Sequence, residues 1–210
     1  MKKLFVLVFI SILVFTDCVY LEKRRSRELV DNFQEVLKDS KVLIRQIVPP
    51  SFKPVPINRK VFFRYDYALI SEVEGIEIRY TIHSIPARLK AFEELKRNRP
   101  DAILVPPKKD DYLTHFFVNL QNLTGSNPEN IYHLKDFPKK SVKTEFGADW
   151  GNISYLGLNP DYDKDYQFCE LVVLHKDDVA DVYIMYLSKD REKLVKFVRE
   201  TYLFYNVRFL

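Results

Sequence analysis

The clearest pattern in the chain is a pair of stretches in which apolar and polar residues alternate. Within Val61–Leu69 and Ile76–Ile82 every second residue is apolar or aromatic, as in β-strands with one buried face. A turn near Gly75 would join the two strands as an antiparallel hairpin. A strict two-residue turn would set Glu72 opposite Glu77, and like charges directly opposite each other are unfavourable. The pattern therefore predicts a hairpin with a longer loop or a bulge.

Two later runs, Tyr166–His175 and Val179–Leu187, are apolar on both alternating sides, which predicts strands covered by other layers on both faces. Cys169 lies in the first run and is interpreted as a small core residue rather than a nucleophile. Shorter strands are predicted for Lys41–Val48 and Leu203–Phe209. The prolines between residues 49 and 56 predict an extended connector, because proline interrupts both helices and central strands.

Four segments have the apolar spacing of helices that pack one face on a core. These segments are Ser26–Lys38, Pro86–Asn98, Asp110–Thr124 and Lys189–Tyr202. In the second, Leu89, Phe92 and Leu95 share the face expected to point inward. Ser188 is expected to cap the last helix. The stretch from Gly125 to about residue 140 is polar and predicts a loop.

Together these elements predict an α+β fold, with a largely antiparallel β-sheet and helices packed on both of its faces. The globular domain is assigned to residues 61–210. Residues 19–60 are assigned to an N-terminal helix, a strand and the proline-rich connector, and residues 1–18 to a signal peptide or membrane anchor. About 190 residues beyond such a segment suit one domain with a sizeable core.

Several of these features resemble the PsbP-like fold over roughly residues 61–210. They are Tyr67-Ala68-Leu69, Glu77-Ile78-Arg79-Tyr80, the Phe146–Trp150 turn and the hairpin-helix-strand run from Tyr166 to Phe209. The PsbP-like superfamily includes small exported or organellar accessory proteins with a helix-flanked antiparallel sheet. The resemblance implies that fold and a non-catalytic, accessory character, and it transfers no functional residue.

The N-terminal segment has the pattern of an export signal, because Lys2 and Lys3 precede the apolar run Leu4–Phe15. Twelve helical residues rise about 18 Å, short of the roughly 30 Å hydrocarbon core. Cys18 follows closely, as the acylated cysteine does in a bacterial lipoprotein signal, although Phe15 and Asp17 replace the leucine and small residue such signals prefer. An uncleaved anchor is the alternative. We therefore expect an exported protein anchored to the bacterial cell envelope, with free secretion as the alternative.

The charge of the chain is mildly basic, +4, and interspersed, so a nucleic-acid partner is not expected. One basic cluster, Lys23, Arg24, Arg25 and Arg27, follows the apolar run. There it could contact anionic lipid headgroups. A solvated start to a surface helix explains the same cluster equally well.

The chemistry-bearing residues form few patterns. His83, His115, His133 and His175 lack the spacing of metal ligands, and His115 and His175 are expected at the surface or rim. Two cysteines exclude a disulfide framework. Glycine-rich phosphate loops, dinucleotide fingerprints and the nucleophile elbow are all absent from the sequence, so no cofactor is predicted.

Asp161, Asp163 and Asp165 are a candidate calcium site, because alternating carboxylates in a loop can converge on Ca²⁺. The EF-hand pattern fails, since Tyr166 and Val172 stand where it requires glycine and glutamate. An acidic solvated turn is the simpler interpretation. Asp177, Asp178 and Asp181 are likewise interpreted as a polar hairpin tip.

The sequence therefore favours a non-catalytic, exported, membrane-tethered accessory or binding protein with an unidentified protein partner. The aromatic residues, sixteen Phe and thirteen Tyr, could form a binding surface or be buried in the core. The alternative is an exported envelope enzyme of hydrolase type, with a site assembled only in three dimensions. Calcium-dependent binding is a third hypothesis.

Overall fold

The computed structural model describes the backbone of residues 2–61 and 63–210 and the side chains of residues 21–61 and 63–210. The side chains of the signal-like segment Met1–Cys18, including the lipid-attachment candidate Cys18, lie outside this description. Among the described residues, no helix has both the length and the apolar character needed to cross a bilayer.

Five helices and nine strands are found in the described chain. The helices are α1 (Lys2–Asp39), α2 (Ile85–Asn98), α3 (Asp111–Thr124), α4 (Lys139–Ser141), which continues into a π-helical turn (Val142–Phe146), and α5 (Arg191–Thr201). The strands are β1 (Val42–Ile44), β2 (Lys53–Val55), β3 (Tyr67–Ser71), β4 (Ile76–Ser84), β5 (Ile131–Asp136), β6 (Trp150–Gly157), β7 (Phe168–Lys176), β8 (Ala180–Ser188) and β9 (Val207–Phe209).

Within the described residues, seven strands form one antiparallel sheet in the order β2-β3-β4-β8-β7-β6-β5, and β1 pairs with β9 in a second, two-stranded sheet. One face of the large sheet packs against α1, α5 and the small sheet, where the ring of Phe33 stacks on Tyr67 at 4.4 Å. The other face packs against α3 through Phe116, Leu120 and Leu123. The predicted α+β class, an antiparallel sheet with helices on both faces, is confirmed.

The predicted hairpin exists, but its first strand begins at Tyr67 rather than Val61. Ser71 pairs with Ile76, so the connection is a four-residue loop, and Glu77 faces Ile70 instead of Glu72. The expectation of a longer loop is confirmed. Phe63 and Tyr65, which precede Tyr67, cover the α3 face of the sheet instead of extending the strand.

Two helix starts differ from the sequence prediction. Helix α1 does not begin at Ser26 but runs through it, so that residue caps nothing. Helix α5 is capped by Asp190 rather than Ser188, because the Asp190 carboxylate accepts hydrogen bonds from the N–H groups of Glu192 and Lys193.

The predicted inward face of α2 is wrong. Leu89 and Leu95 are each more than 40% exposed, and every side chain of this helix remains at least partly accessible. Helix α2 follows directly from the end of β4 and packs mainly on β4 and β8, which leaves much of its apolar stripe exposed. Helical periodicity identifies a stripe but not whether anything covers it.

Strand β5 was expected to be a polar loop. It pairs only with β6 and forms one edge of the large sheet, which leaves five of its six side chains exposed. An edge strand needs no apolar alternation, so its polar sequence did not identify it as a strand. Its position matters because β5 borders a cleft beneath α5.

Candidate functional site

A cleft of about 680 Å³ lies between α5 and the outer strands β5, β6 and β7. Its size falls in the range of sites that hold small organic ligands. The side chains that give it chemical character are Tyr132, His133, Tyr155, Glu170, Arg191 and Arg199.

The floor of the cleft belongs to one row across the sheet. His133 is opposite Tyr155, Tyr155 is opposite Glu170, and Glu170 is opposite Tyr186. Residues directly opposite each other in antiparallel strands project from the same face, with neighbouring Cβ atoms about 5 Å apart. The register therefore brings a carboxyl group between two tyrosines beneath α5.

A β-bulge adds another tyrosine to this face. Ile131 pairs with Leu156 and His133 with Tyr155, so Tyr132 is the extra residue of β5. Its ring lies 5.2 Å from that of Tyr155. Gly157 makes room for it, because a Cβ atom at that position would come within 2.6 Å of the Tyr132 hydroxyl oxygen.

The wall of the cleft is a stripe along α5. Arg191, Val195 and Arg199 are spaced four residues apart and therefore share one side of the helix. The Arg191 guanidinium lies 5.1 Å from the Tyr132 ring centre and 5.5 Å from that of Tyr155, which is the geometry of a cation–π interaction. The helix thus presents arginines to a floor that carries an acid.

The floor contains polar groups without partners. Tyr155 is 8% exposed, and its hydroxyl has no hydrogen-bond partner of good geometry among the described residues, although the Arg191 guanidinium approaches it. The fully buried Tyr186 hydroxyl also has no hydrogen-bond partner among these residues. Glu170 forms no ion pair with any described residue. Burial raises the pKa of the Glu170 carboxyl to about 7, although the charge of Arg199 opposes this shift.

Near neutral pH, Glu170 is therefore poised between a hydrogen-bond-donating acid and an accepting carboxylate. Burial also raises the pKa of Tyr155 to about 12, against the opposing charge of Arg191, so this hydroxyl stays protonated. The described lining of the cleft includes no serine, threonine or cysteine nucleophile. This arrangement suits recognition of a polar ligand better than covalent catalysis.

The predicted calcium ligands are not brought together. Asp163 is buried on the other face of the sheet, where its Oδ2 lies 2.8 Å from the Arg79 Nη2, and its Oδ1 accepts the N–H of Asp165. Arg79 also pairs with Glu77. The described residues contain no cluster of three or more His, Cys, Asp or Glu side chains that could hold a metal ion. Asp163 is a partner of a buried arginine and not part of a solvated turn.

The expectation that His175 lies at the surface or rim is wrong. Its ring is buried, its Nδ1 lies 2.6 Å from Asp181 and its Nε2 lies 3.1 Å from Asp177. Tyr112 of α3 stacks on the ring at 3.8 Å. Although desolvation opposes it, hydrogen bonding to Asp181 and Asp177 raises the pKa of His175. Asp181 is therefore a buried partner rather than part of an exposed hairpin tip.

Of the other histidines, only His133 stands apart and borders the cleft: His83 is opposite Asp181 across β4 and β8 and close enough to His115 for their charges to interact, and the Nδ1 of His115 lies 3.2 Å from Arg88. Cys169 is fully buried, and burial raises the pKa of its thiol, which confirms its interpretation as a core residue.

Sequence reasoning missed the cleft residues Tyr155, Glu170, Arg191 and Arg199. One signal in the sequence points to Glu170, because it is the only carboxyl in a run that is predicted to be covered on both faces. A buried, unpaired acid is costly and therefore marks a candidate site.

The exposed basic cluster on α1 lies beside a second groove, of about 730 Å³, between α1 and β2. Lys23, Arg25 and Arg27 line it, whereas Arg24 pairs with Glu28 at 3.1 Å. These cations are accessible and lie on α1, C-terminal to the apolar run.

Comparisons of the chain with protein-family models, curated proteins and solved structures find no match. The chemistry of the cleft is therefore the basis for inferring a function.

Proposed function

We propose that the protein is a non-catalytic, membrane-tethered binding protein of the cell envelope that holds a small polar ligand in the cleft between α5 and β5–β7. The observation that carries the proposal is the buried Tyr155 hydroxyl, without a partner, beside the unpaired Glu170 carboxyl. A buried polar group left unsatisfied costs about 1–3 kcal/mol, which a ligand that supplies the hydrogen bond would recover.

The enzyme alternative has less support. The shortest histidine–carboxylate contact among the described residues joins His175 and Asp181, but both ring nitrogens of His175 already face carboxylates. Tyr112 covers one side of the ring. A hydrolase with a serine or cysteine nucleophile would need that nucleophile within hydrogen-bond reach of a free histidine nitrogen.

The tether rests on the sequence of residues 1–18 and on the accessible cations that follow. Lys23, Arg25 and Arg27 would lie near the membrane face if Cys18 carries a lipid. We expect Cys18→Ala to release the protein from the membrane fraction of cells that export it. If the variant stays wholly membrane-bound, lipid attachment at Cys18 is excluded and an uncleaved anchor takes its place.

The cleft is tested by screening the full chain against mixtures of amino acids, amines, carboxylic acids, sugars and nucleotides. Binding is followed as a rise in melting temperature, and any active compound is then titrated by calorimetry. We expect Tyr155→Phe to weaken ligand binding about tenfold. A tenfold loss of affinity corresponds to roughly 1.4 kcal/mol, which is about the contribution of one hydrogen bond.

Tyr202→Phe is the matched control, since it removes a hydroxyl from a tyrosine that is 53% exposed and lies outside the cleft. The control should bind like the unmodified protein. Compounds that bind equally well to the unmodified protein, to Tyr155→Phe and to Glu170→Gln would show that the cleft is not the binding site.

A further inference from the structure

The cleft carries opposite charges on opposite sides. The acid Glu170 lies on the sheet, and the arginines Arg191 and Arg199 lie on the helix. The full lining is balanced, with three acidic and three basic side chains (Glu170, Glu192 and Glu200 against Arg191, Lys196 and Arg199). A site of this kind favours neither a net anion nor a net cation.

Building on the proposed function, we propose that the ligand is a small zwitterion with an ammonium group and a carboxylate, namely an amino acid or a short peptide. The ammonium group binds Glu170 and the Tyr155 hydroxyl. The carboxylate binds Arg199.

The floor of the cleft offers the groups that suit the ammonium end of the ligand. An ammonium group has three hydrogen-bond donors and no acceptor, and it meets the Glu170 carboxylate and the oxygen of Tyr155, which has no partner among the described residues. The faces of Tyr132 and Tyr155 border the same space and already attract one cation, Arg191. A carboxylate placed here instead would face another carboxylate.

The wall of the cleft, formed by α5, offers the group that suits the carboxylate end of the ligand. Within the described chain Arg199 makes no ion pair, whereas its neighbour Lys196 lies 4.0 Å from Glu200. Arg199 and Glu170 line the same cleft from opposite sides, so one small molecule can contact both. The planar guanidinium fork fits a carboxylate through two parallel hydrogen bonds. Arg191 is left to cover the tyrosine rings.

The test uses the full chain in detergent and calorimetric titration with three matched sets of compounds. The first set is the natural L-amino acids together with a series of dipeptides. The second set carries an N-acetyl group and lacks the ammonium group, and the third is amidated and lacks the carboxylate. We expect members of the first set to bind and their acetylated and amidated forms to bind at least tenfold more weakly.

Variants at two positions, Glu170 and Arg199, test which end of the ligand each residue binds. Glu170→Gln should bind the free and the acetylated compound with similar affinity, because it loses the charge that selects ammonium. Arg199→Met should bind the free and the amidated compound similarly, whereas Arg199→Lys should keep part of the preference. Arg208→Met, at an exposed position on β9, is the control and should leave both preferences unchanged.

The outcomes separate this inference from the proposed function. Equal binding of acetylated and free compounds overturns the assignment of ammonium to Glu170, and equal binding of amidated compounds overturns that of carboxylate to Arg199. If no zwitterion binds but another class binds in a manner sensitive to Tyr155→Phe, this inference is wrong and the proposed function stands. If no compound depends on the cleft residues, both are wrong. The relative affinities of amino acids and dipeptides show which of these two classes the cleft prefers.

Discussion

Glu170 stands on β7 between Cys169 and Leu171, which are both fully buried on the opposite face of the sheet, while its own carboxyl faces α5. The environment favours the protonated form, so the folded protein holds this proton more tightly than the unfolded chain does. Protonation of a single residue therefore couples folding to pH.

The first prediction concerns this coupling. Because the pKa of Glu170 rises from 4.5 to about 7 on folding, its contribution to stability is fully present below pH 4.5 and is lost as the pH rises through 7. In Glu170→Gln this part of the pH dependence should disappear. Urea denaturation of both proteins at several pH values between 4.5 and 7.5 measures it.

Glu94→Gln provides the control, since Glu94 is exposed on α2. Its pH profile should match that of the unmodified protein. Parallel profiles for the unmodified protein and Glu170→Gln would mean that the carboxyl is solvated and that the cleft floor is not as described.

A second prediction compares two glycines of β6. A Cβ atom at Gly151 would meet the core side chain of Leu174 at 2.9 Å, so Gly151→Ala should cost about 1–3 kcal/mol of unfolding free energy. A Cβ at Gly157 meets the end of the half-exposed Tyr132 side chain, which can swing outward. Gly157→Ala should therefore cost less than about 1 kcal/mol but weaken ligand binding.

Denaturation and calorimetry on the two alanine variants distinguish these effects. If Gly157→Ala destabilises the fold as much as Gly151→Ala, Tyr132 is held rigidly and the bulge belongs to the core. If Gly157→Ala leaves ligand affinity unchanged, Tyr132 does not contribute to the site.

Among the elements, the β7–β8 hairpin has its own titrating group near the turn. His175 near the end of β7 pairs with Asp181 near the start of β8, and hydrogen bonds from its ring to Asp181 and Asp177 outweigh the opposing effect of burial on its pKa. A raised histidine pKa stabilises the fold fully below pH 6.5, and this contribution is lost as the pH rises through the folded value.

The third prediction follows from this pairing. Asp181→Asn should lower the pKa of His175 and flatten the loss of stability above pH 6.5, because the amide carries no charge to hold the imidazolium. The proton NMR signals of the His175 ring, followed against pH, measure the shift. Asp178→Asn, at the exposed turn, should leave the His175 titration unchanged, and an equal shift in both variants would contradict the specific pairing.

The elements also show which parts of the fold the sequence can predict. Strands β7 and β8 were predictable because they lie inside the sheet, where both faces demand apolar side chains. Strand β5 lies at the edge and has no such demand. The stripe on α2 obeys helical periodicity, yet packing against another element is a property of the tertiary structure and not of the stripe.

The cleft was unpredictable for a related reason. Tyr155, Glu170 and Arg191 are separated by many residues, and only the strand register and the position of α5 bring them together. Local patterns specify the face on which a side chain lies, not its neighbour on the next strand. Tyr132 reaches this face through a bulge, which simple alternation does not anticipate.

At the scale of the whole molecule, the C-terminal part of α1, beyond the N-terminal apolar run, is part of the main core. Phe33 of α1 is 1% exposed, stacks on Tyr67 and lies 5.6 Å from Tyr80. Leu37, Val42 and other residues before position 60 belong to the same apolar cluster as the sheet. A tether attached to this helix would be joined to the globular part through packing, with no need for a flexible linker.

The fourth prediction tests this integration. Phe33→Ala should lower the unfolding free energy by about 3–5 kcal/mol, the usual cost of deleting a buried aromatic ring. Denaturation should remain a single transition when followed by circular dichroism and by fluorescence. Glu35→Ala, on the exposed side of the same helix, should change stability little. A negligible effect of Phe33→Ala would show that α1 docks weakly.

The stacking beside His175 has a practical consequence for optical spectroscopy. The chain has one tryptophan, Trp150, and its indole lies 5.3 Å from both Tyr112 and Phe116 on the α3 side of the sheet. The cleft opens on the opposite side. We therefore expect indole emission to report the loss of the α3 core and to respond little to ligand binding in the cleft. Tryptophan fluorescence can thus measure the unfolded fraction of a sample, while a separate method measures the fraction with ligand bound in the cleft.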